Sequence, residues 1–534
     1  MAYQPRDYQI AAINDIRDVL RNPVYSLTAL QRGVGILLRA PCRSGKTVIA
    51  GFIIENAQAR GKKIGFGCRR KELISQCSKK LDEAGIRHGI IQGSNPRANT
   101  EAVQVFSFDT IVRRLRKKGH TMAPWVPDDF DIIFHDECHE MTPTVVETKT
   151  HYPNAIWIGL TATPKRTDGK PLGVAGGGIY DTMIEVISEQ ALLDLGYLCD
   201  YVVYDAPPES RSDFKNVKMK GGEFDEKEVA EIVDKPKVIG SVYQNWKLHA
   251  DGLKTMVFAI NRAHGQHLCS EFRARGENAE YVDGESSDEH RESVMARFRA
   301  APVGSGAILV SVALYTQGLD VPDLECISVA RPIGSEILFV QLFMRPLTPA
   351  PGKSIGVILD HGNNIARHGF PTDAREYSLE GKSRGGPKEA VKSVKYCPVC
   401  GSTPRSTQRF CNGTITYGER MGQICGFELI VLVDGELPVT AEEVVLTKKE
   451  RKAQEKQQAQ ALVVKQTLRL QELVEIQLRD NRKWEYAINK FQTEFGERPG
   501  RNHGVKLDWE SGHKTPSGYK LVGWSFGGRT FSET

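Results

Sequence analysis

Five consecutive residues, Arg43-Ser44-Gly45-Lys46-Thr47, end the segment APCRSGKT at 40–47 with side chains suited to a nucleoside triphosphate. A phosphate cradle needs backbone N–H groups at a helix N-terminus, a lysine for the β- and γ-phosphates and a hydroxyl for Mg2+. Gly45, Lys46 and Thr47 supply that set, Ser44 lies within the loop, and Arg43 adds a guanidinium able to meet phosphate oxygens two at a time. Downstream, FDIIFHDECHE at 130–140 places Asp136 and Glu137 together at the end of an apolar run. Two carboxylates divide the work of hydrolysis: Asp136 to hold Mg2+, directly or through water, and Glu137 to orient or deprotonate the attacking water.

A separate group, Cys397, Cys400, Cys411 and Cys425, offers four thiolates to Zn2+, with Cys397-Pro-Val-Cys400-Gly placing two of them on one tight turn. The longer gap between Cys411 and Cys425 leaves open a ribbon in which another ligand, such as a histidine, completes the site. The chain has eleven cysteines in all, and the others are scattered through apparent strands and helices. One metal site in a reduced compartment fits this distribution better than a disulfide framework.

The elements that would carry these residues are legible as apolar runs. VGILLRA at 34–40 reads as a buried strand and TVIAGFIIENAQA at 47–59 as a helix, so the loop lies between strand and helix. Strand-length runs recur at 62–68, 102–108, 130–136 and 155–162, with helical patterns between several of them. The rhythm restarts at 254–260, 279–284, 306–312, 325–331 and 353–361. The fold class predicted is α/β, with two parallel-sheet domains in tandem. In a parallel sheet, ligands collect at the carboxyl ends of strands, where Asp136 and Glu137 can face the phosphate loop.

The organisation expected is a first, ATP-binding domain over 1–205, a polar connecting insertion over 206–236 and a second domain over 237–380. A zinc module at 394–432, a helical segment at 440–490 and a small module at 491–534 follow. Hydrophobic content of 40%, charged content of 26% and a net charge of +5 describe a mildly basic multidomain protein that can bind nucleic acid without being required to. No apolar run approaches the ~18 residues of a membrane span, and the first residues lack a signal-peptide pattern, so no membrane partner and a cytoplasmic location are expected.

DECH at 136–139 with GLTATPKRTDG at 159–169 resembles the helicase and translocase superfamily 2. RDYQ at 6–9, CRRKELISQ at 68–76, FSFDT at 106–110 and TQGLDVPD at 316–323 follow in the order of that superfamily's motifs. TQGLDVP, ARPIGSEILFVQ, PAPGK and ILDHGNN, ahead of a cysteine cluster, are most similar to RadD-type and type III restriction-like DNA helicases. The resemblance implies two RecA-like domains with ATP between them, Gln9 reading adenine, and Gly318 and Asp320 contributing from the second domain. It places Arg69, Arg70, Ser107, Thr110 and Thr316 near a nucleic-acid backbone, has Thr161 and Thr163 couple ATP to the strand, and gives Gln341 and Arg345 catalytic roles.

What it implies functionally is ATP-driven helicase or translocase activity on single-stranded, duplex or forked DNA. The setting would be bacterial or bacteriophage replication, recombination or repair, with proteins of those processes as further partners. An RNA helicase, and an ATP-binding DNA scaffold with weakened hydrolysis, are the alternatives.

The chain departs from the superfamily at motif six, which ends in Gln, two residues, Gly, Arg, two residues, Arg. Here Gln341 and Arg345 remain, while Met344 replaces the glycine and Thr348 the final arginine. That arginine reaches the γ-phosphate in the family, and such fingers are worth roughly 10³ to 10⁵ in rate. Arg345 acting alone, Arg331 or Arg43 taking over, or slow hydrolysis would each account for the change.

Overall fold

In the computed structural model the described residues are 4–25, 32–93, 95, 97, 100–118, 125–206, 212–312, 321–381, 397, 399–405, 408, 410–416, 421–428, 470, 473–474, 477, 486–495, 506–515, 518–526 and 529–532. Residues 1–430 and 431–534 form two compact units.

The first unit holds two parallel sheets. Strands β1 (Gly35–Arg39), β2 (Ile64–Cys68), β3 (Gly89–Ile91), β4 (Val103–Ser107), β5 (Ile132–Asp136), β6 (Ile156–Thr161) and β7 (Thr182–Glu185) form the first, in the order β3-β4-β2-β5-β6-β1-β7. Its long central strands are largely apolar runs because helices cover both faces. Ile36 and Leu38 enter one core with Phe66, Val105 and Phe134, while Leu37 between them enters the opposite core with Phe106, Ile133 and Trp157. That alternation is the two-residue period of a strand.

β8 (Tyr201–Asp205), the two-residue strands β9 (Met219–Lys220) and β10 (Glu223–Phe224), β11 (Thr255–Ala259), β12 (Ala279–Val282), β13 (Ile308–Val312), β14 (Cys326–Val329) and β15 (Gly356–Asp360) follow. Six of them build the second sheet in the order β12-β13-β11-β14-β15-β8, and β9 pairs with β10 as a small hairpin. The boundary expected after residue 205 falls one strand late. Tyr201 to Asp205 pair in parallel with Gly356 to Asp360, and Val202 and Tyr204 are buried in the second domain's core with Trp246 and Val257. The segment 206–236, expected as a connecting insertion, contains this hairpin and the helix Glu226–Val233, whose Val229 and Val233 pack with Phe214 and Ile260.

The cysteine module closes the open edge of β8. Thr403 N–H donates to Val203 O at 2.7 Å, Thr414 N–H to the Tyr204 hydroxyl at 2.8 Å, and Arg405 pairs with Asp200 at 2.6 Å. An unpaired strand edge invites association with other chains, and this docking covers it.

In the second unit, a helix spans Tyr486–Phe495 and β16 (Lys506–Thr515), β17 (Gly518–Phe526) and β18 (Arg529–Ser532) form an antiparallel sheet. Most of the helix expected over 440–490 lies outside the described residues. Among the described residues no helix is long and apolar enough to cross a membrane.

Candidate nucleotide-binding and hydrolysis site

β1 ends at Arg39, and the chain turns through Ala40 to Gly45 into the helix Lys46–Gln58. Two residues of this turn are left-handed, Arg43 at φ 70° and Gly45 at φ 82°. Ser44 ties the loop to itself, its hydroxyl donating to Pro41 O at 2.8 Å. Its carbonyl accepts from the Gln9 amide at 2.9 Å and the Tyr8 hydroxyl at 2.8 Å. Gln9 Oε1 accepts from the Arg6 N–H at 2.9 Å. The RDYQ segment therefore braces the phosphate loop from outside, a job that the sequence pattern did not disclose. Arg6 also lies over the ring of Tyr197, 3.8 Å from its centroid.

Gly45 has no room for a side chain, since a Cβ there would stand 2.4 Å from Gln9 Nε2 in a backbone conformation that L-residues disfavour. Gly45→Ala is expected to weaken ATP binding at least about tenfold through a strain of roughly 1–3 kcal/mol at the loop. Nucleotide titration of the variant, with circular dichroism to confirm folding, checks this.

Lys46 reaches back to Ala40 O at 3.3 Å. Burial pushes its ammonium down, but the negative groups of Glu137, Cys42 and Asp136 outweigh that and hold it above the ordinary lysine value. Asp136 ends β5 and is pushed up to about 6, by burial and by the Glu137 charge beside it, against the pull of Lys46. Glu137 is raised by burial, with Lys46 opposing, and its backbone is left-handed at φ 49°. A hard-oxygen pair of Asp136 and the Thr47 hydroxyl beside a triphosphate suits Mg2+, whose charge would restore Asp136 to the ionised state. In the metal-free direction, kcat/KM for ATP is expected to fall about tenfold per pH unit below about pH 6, because protonated Asp136 cannot ligate Mg2+. A pH–rate profile of kcat/KM at fixed ionic strength, flat through that range, would contradict it.

Beside Glu137 lies a chain of polar contacts through His139, Thr161 and Thr163. His139 Nδ1 stands 3.4 Å from Glu137 Oε2 and 2.9 Å from the Thr161 hydroxyl. Thr161 Oγ1 also accepts from the Thr163 N–H at 3.1 Å. Burial holds His139 down to about 4, so it is neutral near pH 7. His139 was not singled out from the sequence, although it belongs to the DECH tetrad. It lines a cavity of about 240 Å³ whose wall is completed by Arg69, Glu140 and Arg166 of the first domain and by Ser335, Leu338 and Gln341 of the second. Gln341 is 8% exposed, and both its amide atoms lack a hydrogen-bond partner.

The remaining residues expected at the strand face lie at the same sheet edge. Arg69 follows β2 and pairs with Glu140 at 3.1 Å, while Arg70 occupies the N-cap of the helix Lys71–Glu83. Ser107 ends β4, and Thr110 lies in the first turns of the helix Phe108–Leu115. Thr316, Gly318 and Asp320 lie outside the described residues. Arg345 is buried in the turn Arg345–Leu347, and Met344, which stands for the usual glycine, is a fully buried core residue.

The loop 331–335 that leads into the Gln341 helix is gripped from two sides. Asn364 accepts from Ile333 N–H at 2.7 Å and donates to Arg331 O at 3.0 Å and to Asp360 at 2.8 Å. Glu223 accepts from the N–H groups of Gly334 and Ser335 at 3.1 and 2.9 Å. Glu223 was not legible in sequence, because it lies far from Gln341 along the chain, and Asn364, though part of ILDHGNN, gave no sign of which loop it holds.

The four cysteines converge. Their sulfur atoms lie within 4.8 Å of one another and all four residues are buried. The irregular second half works because 410–416 pairs against 421–428: Cys411 N–H donates to Phe427 O at 2.8 Å and Cys425 N–H to Gly413 O at 2.7 Å. Cys400 and Cys411 sulfurs stand 3.4 Å apart, and Cys397 and Cys425 sulfurs 3.7 Å apart. Tetrahedral Zn2+ with bonds of about 2.3 Å asks for sulfurs about 3.8 Å apart, so the set fits the ion.

Comparison with known proteins agrees with this geometry. Residues 2–166 match the family described as "Type III restriction enzyme, res subunit", and residues 234–347 match "Helicase conserved C-terminal domain". A 51.5 kDa protein of a Lactococcus phage is 27% identical over 380 residues, covering 70% of this chain and 76% of its own. A Schizosaccharomyces pombe protein provisionally named mitochondrial ATP-dependent helicase irc3 is 26% identical over 353 residues, covering 62% of this chain and 54% of its own. Among solved structures, a fragment of a provisionally assigned HsdR subunit of a type I restriction enzyme from Vibrio vulnificus shares the fold, with a TM-score of 0.51 and 21% identity over 69% of this chain and 67% of that one. With both helicase domains matched in tandem and Lys46, Asp136 and Glu137 gathered at the phosphate loop, the chain is an ATP-dependent helicase of superfamily 2, of the type III restriction-like group.

Proposed function

We propose that this helicase is a DNA motor of bacteriophage or bacterial replication, recombination or repair, active in the cytoplasm alongside proteins of those processes. The observation that carries the reading is His139, which stands 3.4 Å from Glu137 Oε2 and 2.9 Å from the Thr161 hydroxyl and lines the cavity that Gln341 of the second domain also lines. Lys46 and the loop Arg43 to Thr47 hold the triphosphate, Asp136 and Thr47 hold Mg2+, and Glu137 takes the proton of the attacking water. Gln9 reads adenine, and Gln341 and Arg345 face the phosphates from the second domain with Gly318 and Asp320. Arg69, Arg70, Ser107, Thr110 and Thr316 grip the strand through its phosphates, which positions it without reading sequence. Closure and reopening of the cleft then move one grip relative to the other.

The test is steady-state ATP hydrolysis without nucleic acid and with single-stranded, duplex and forked DNA and RNA, at stated salt because phosphate contacts weaken steeply with it. Stimulation by DNA and not RNA, lost in Lys46→Ala, is the expected result. Stimulation by RNA alone would overturn the DNA assignment. Met344 and Thr348 favour one second reading, an ATP-binding DNA scaffold; binding of both ligands with turnover no higher than in Lys46→Ala would select it.

Zn2+ at Cys397, Cys400, Cys411 and Cys425 completes the proposal, as a fold-stabilising ion for the module that covers β8. Structural zinc sites contribute folding energy outright, because the ligand set is assembled only in the folded chain. Metal analysis is expected to return one zinc per chain, and chelation to lower the melting temperature by several degrees, on the order of the effect of 1–2 kcal/mol in a domain. A chain that purifies without zinc and melts unchanged with chelator would refute the assignment.

A further inference from the structure

The chain returns to the first domain after the second is complete. Past the helix Asn364–His368, Arg375 is fastened to the second domain, its guanidinium donating to Phe370 O and Asp373 O, both at 2.9 Å. A few residues on, Leu379 lies on the first domain. Its carbonyl accepts from the N–H groups of Leu172 and Gly173 at 3.0 and 2.8 Å, and its side chain packs against the first-domain core that includes Trp157 and Tyr180. Between these anchors the Tyr377 hydroxyl donates to Glu336 of the second domain at 3.4 Å, while the Tyr377 ring faces the Arg39 guanidinium of the first, 5.5 Å from its centroid. Glu336 in turn pairs with Lys165 of the first domain at 3.0 Å. The chain is next described at Cys397, in the module docked on β8 of the second domain. Residues 375–381 thus form a strap anchored on one motor domain before and after the point where it binds the other.

The contacts of the strap flank the cavity that Gln341 lines. Arg166, Thr167 and Asp168 of the first-domain wall lie between Lys165 and Leu172 in the chain, and Ser335 and Ile337 of the second-domain wall flank Glu336. Closure of a motor cleft on its nucleotide moves such walls relative to one another, and the strap ties both at once. Its hold is nevertheless light. Glu376, Ser378 and Glu380 are exposed, the segment belongs to no helix or strand, and Lys165, 55% exposed, makes an ion pair of a kind that contributes little in water. Segments with so few buried contacts open at low free energy.

We propose that the strap 375–381 is an autoinhibitory latch, holding the two motor domains at the spacing of this cavity and leaving Leu172 and Gly173 when the cleft closes on ATP. This rests on the ATP-hydrolysis reading above. Contacts made in one arrangement of the domains and lost in the other shift the population towards the first. The latch therefore lowers turnover until nucleic acid binding favours the closed arrangement.

Gly173 offers a way to lift the strap without altering either core. Its backbone, at φ −77°, suits any residue, and the three atoms nearest to a Cβ placed there all belong to Leu379, at 3.0 to 3.5 Å. In the full chain with its metal, Gly173→Val is expected to raise ATP turnover without nucleic acid by about threefold or more. Turnover with the nucleic acid that stimulates the unaltered protein should stay within about threefold, so the stimulation ratio falls. The converse variant combines Gly173→Cys with Leu379→Cys, whose Cβ atoms reach disulfide distance after a shift of less than about 1 Å. Once oxidised, with the cross-link verified by mass, it should turn over at least about threefold more slowly than before and recover with reductant, while each single cysteine variant treated alike does not change. Turnover of folded Gly173→Val without nucleic acid less than threefold above that of the unaltered protein overturns the proposal, as does a cross-linked pair slowed less than threefold; either measurement decides alone. Turnover of the unaltered protein, with nucleic acid, no higher than that of Lys46→Ala overturns the hydrolysis reading itself.

Discussion

Glu137→Gln is expected to lower ATP turnover by about 10²- to 10⁴-fold while leaving nucleotide affinity within about threefold, the range associated with loss of a positioned general base. Burial raises the carboxyl while the charge of Lys46 draws it towards ionisation, and His139 Nδ1 stands 3.4 Å from Oε2. A glutamine there retains the size and one acceptor but cannot take a proton from water. The left-handed backbone at this residue, φ 49°, holds the side chain in a conformation seldom seen for glutamate, and strain of this kind is maintained only where surrounding structure enforces it. Because Lys46 and Asp136 are untouched, the variant should still bind ATP and nucleic acid, and helicase activity should fall in proportion to hydrolysis. Single-turnover hydrolysis with saturating ATP measures the chemical step; a variant that keeps more than a tenth of the original rate would remove Glu137 from the reaction.

The largest stability effect is expected at Arg39. Its guanidinium donates to both carboxylate oxygens of Glu189 at 2.7 and 2.6 Å, and both side chains are 2% exposed. A further bond runs to Ile187 O at 2.9 Å. Arg39 is the last residue of β1, directly before the phosphate loop, and Glu189 opens the helix Glu189–Asp194 that leads to the second domain's β8. The pair therefore fixes the interdomain connection to the base of the nucleotide site. Arg39→Ala leaves a buried carboxylate without its partner, and losses of about 3–5 kcal/mol are usual for that change. Thermal and denaturant unfolding, followed together with ATP affinity, should show both falling. Replacement of both residues by apolar ones of similar volume, Arg39→Met with Glu189→Leu, should recover most of the stability, since the cost lies in an uncompensated charge more than in lost attraction. Equal damage in the single and double variants would show that packing around Arg39, and not the ion pair, is what matters.

The arrangement around these residues separates two kinds of information. APCRSGKT, the DECH tetrad and the long central strands were readable because each is encoded within a few adjacent residues: a loop conformation, a strand end, an apolar run. β3 and β7 left no comparable signal. They are three and four residues long, and every residue of β7 is at least partly exposed, so neither makes a long apolar run. β8 was not singled out as a strand, and its sheet was not legible either, since pairing with β15 joins residues far apart in sequence.

By itself, then, the sequence determined the tandem α/β organisation, the phosphate loop with Lys46, the Asp136–Glu137 pair and the set of four thiolates. Tertiary structure alone decided which partners those residues meet. Arg39 finds Glu189 at a separation of 150 positions, and Tyr8 and Gln9 find the Ser44 carbonyl at 36 and 35. Cys425 reaches Cys411 through a strand pairing, and Lys353 returns to the Thr348 carbonyl through a turn. Local propensity acts over a turn of helix or a few strand residues, whereas these contacts depend on which elements share a sheet and which loops meet at the carboxyl ends of its strands. Burial then sets their chemistry, because an ion pair, a raised carboxyl or a lowered histidine acquires its strength only where water has been excluded.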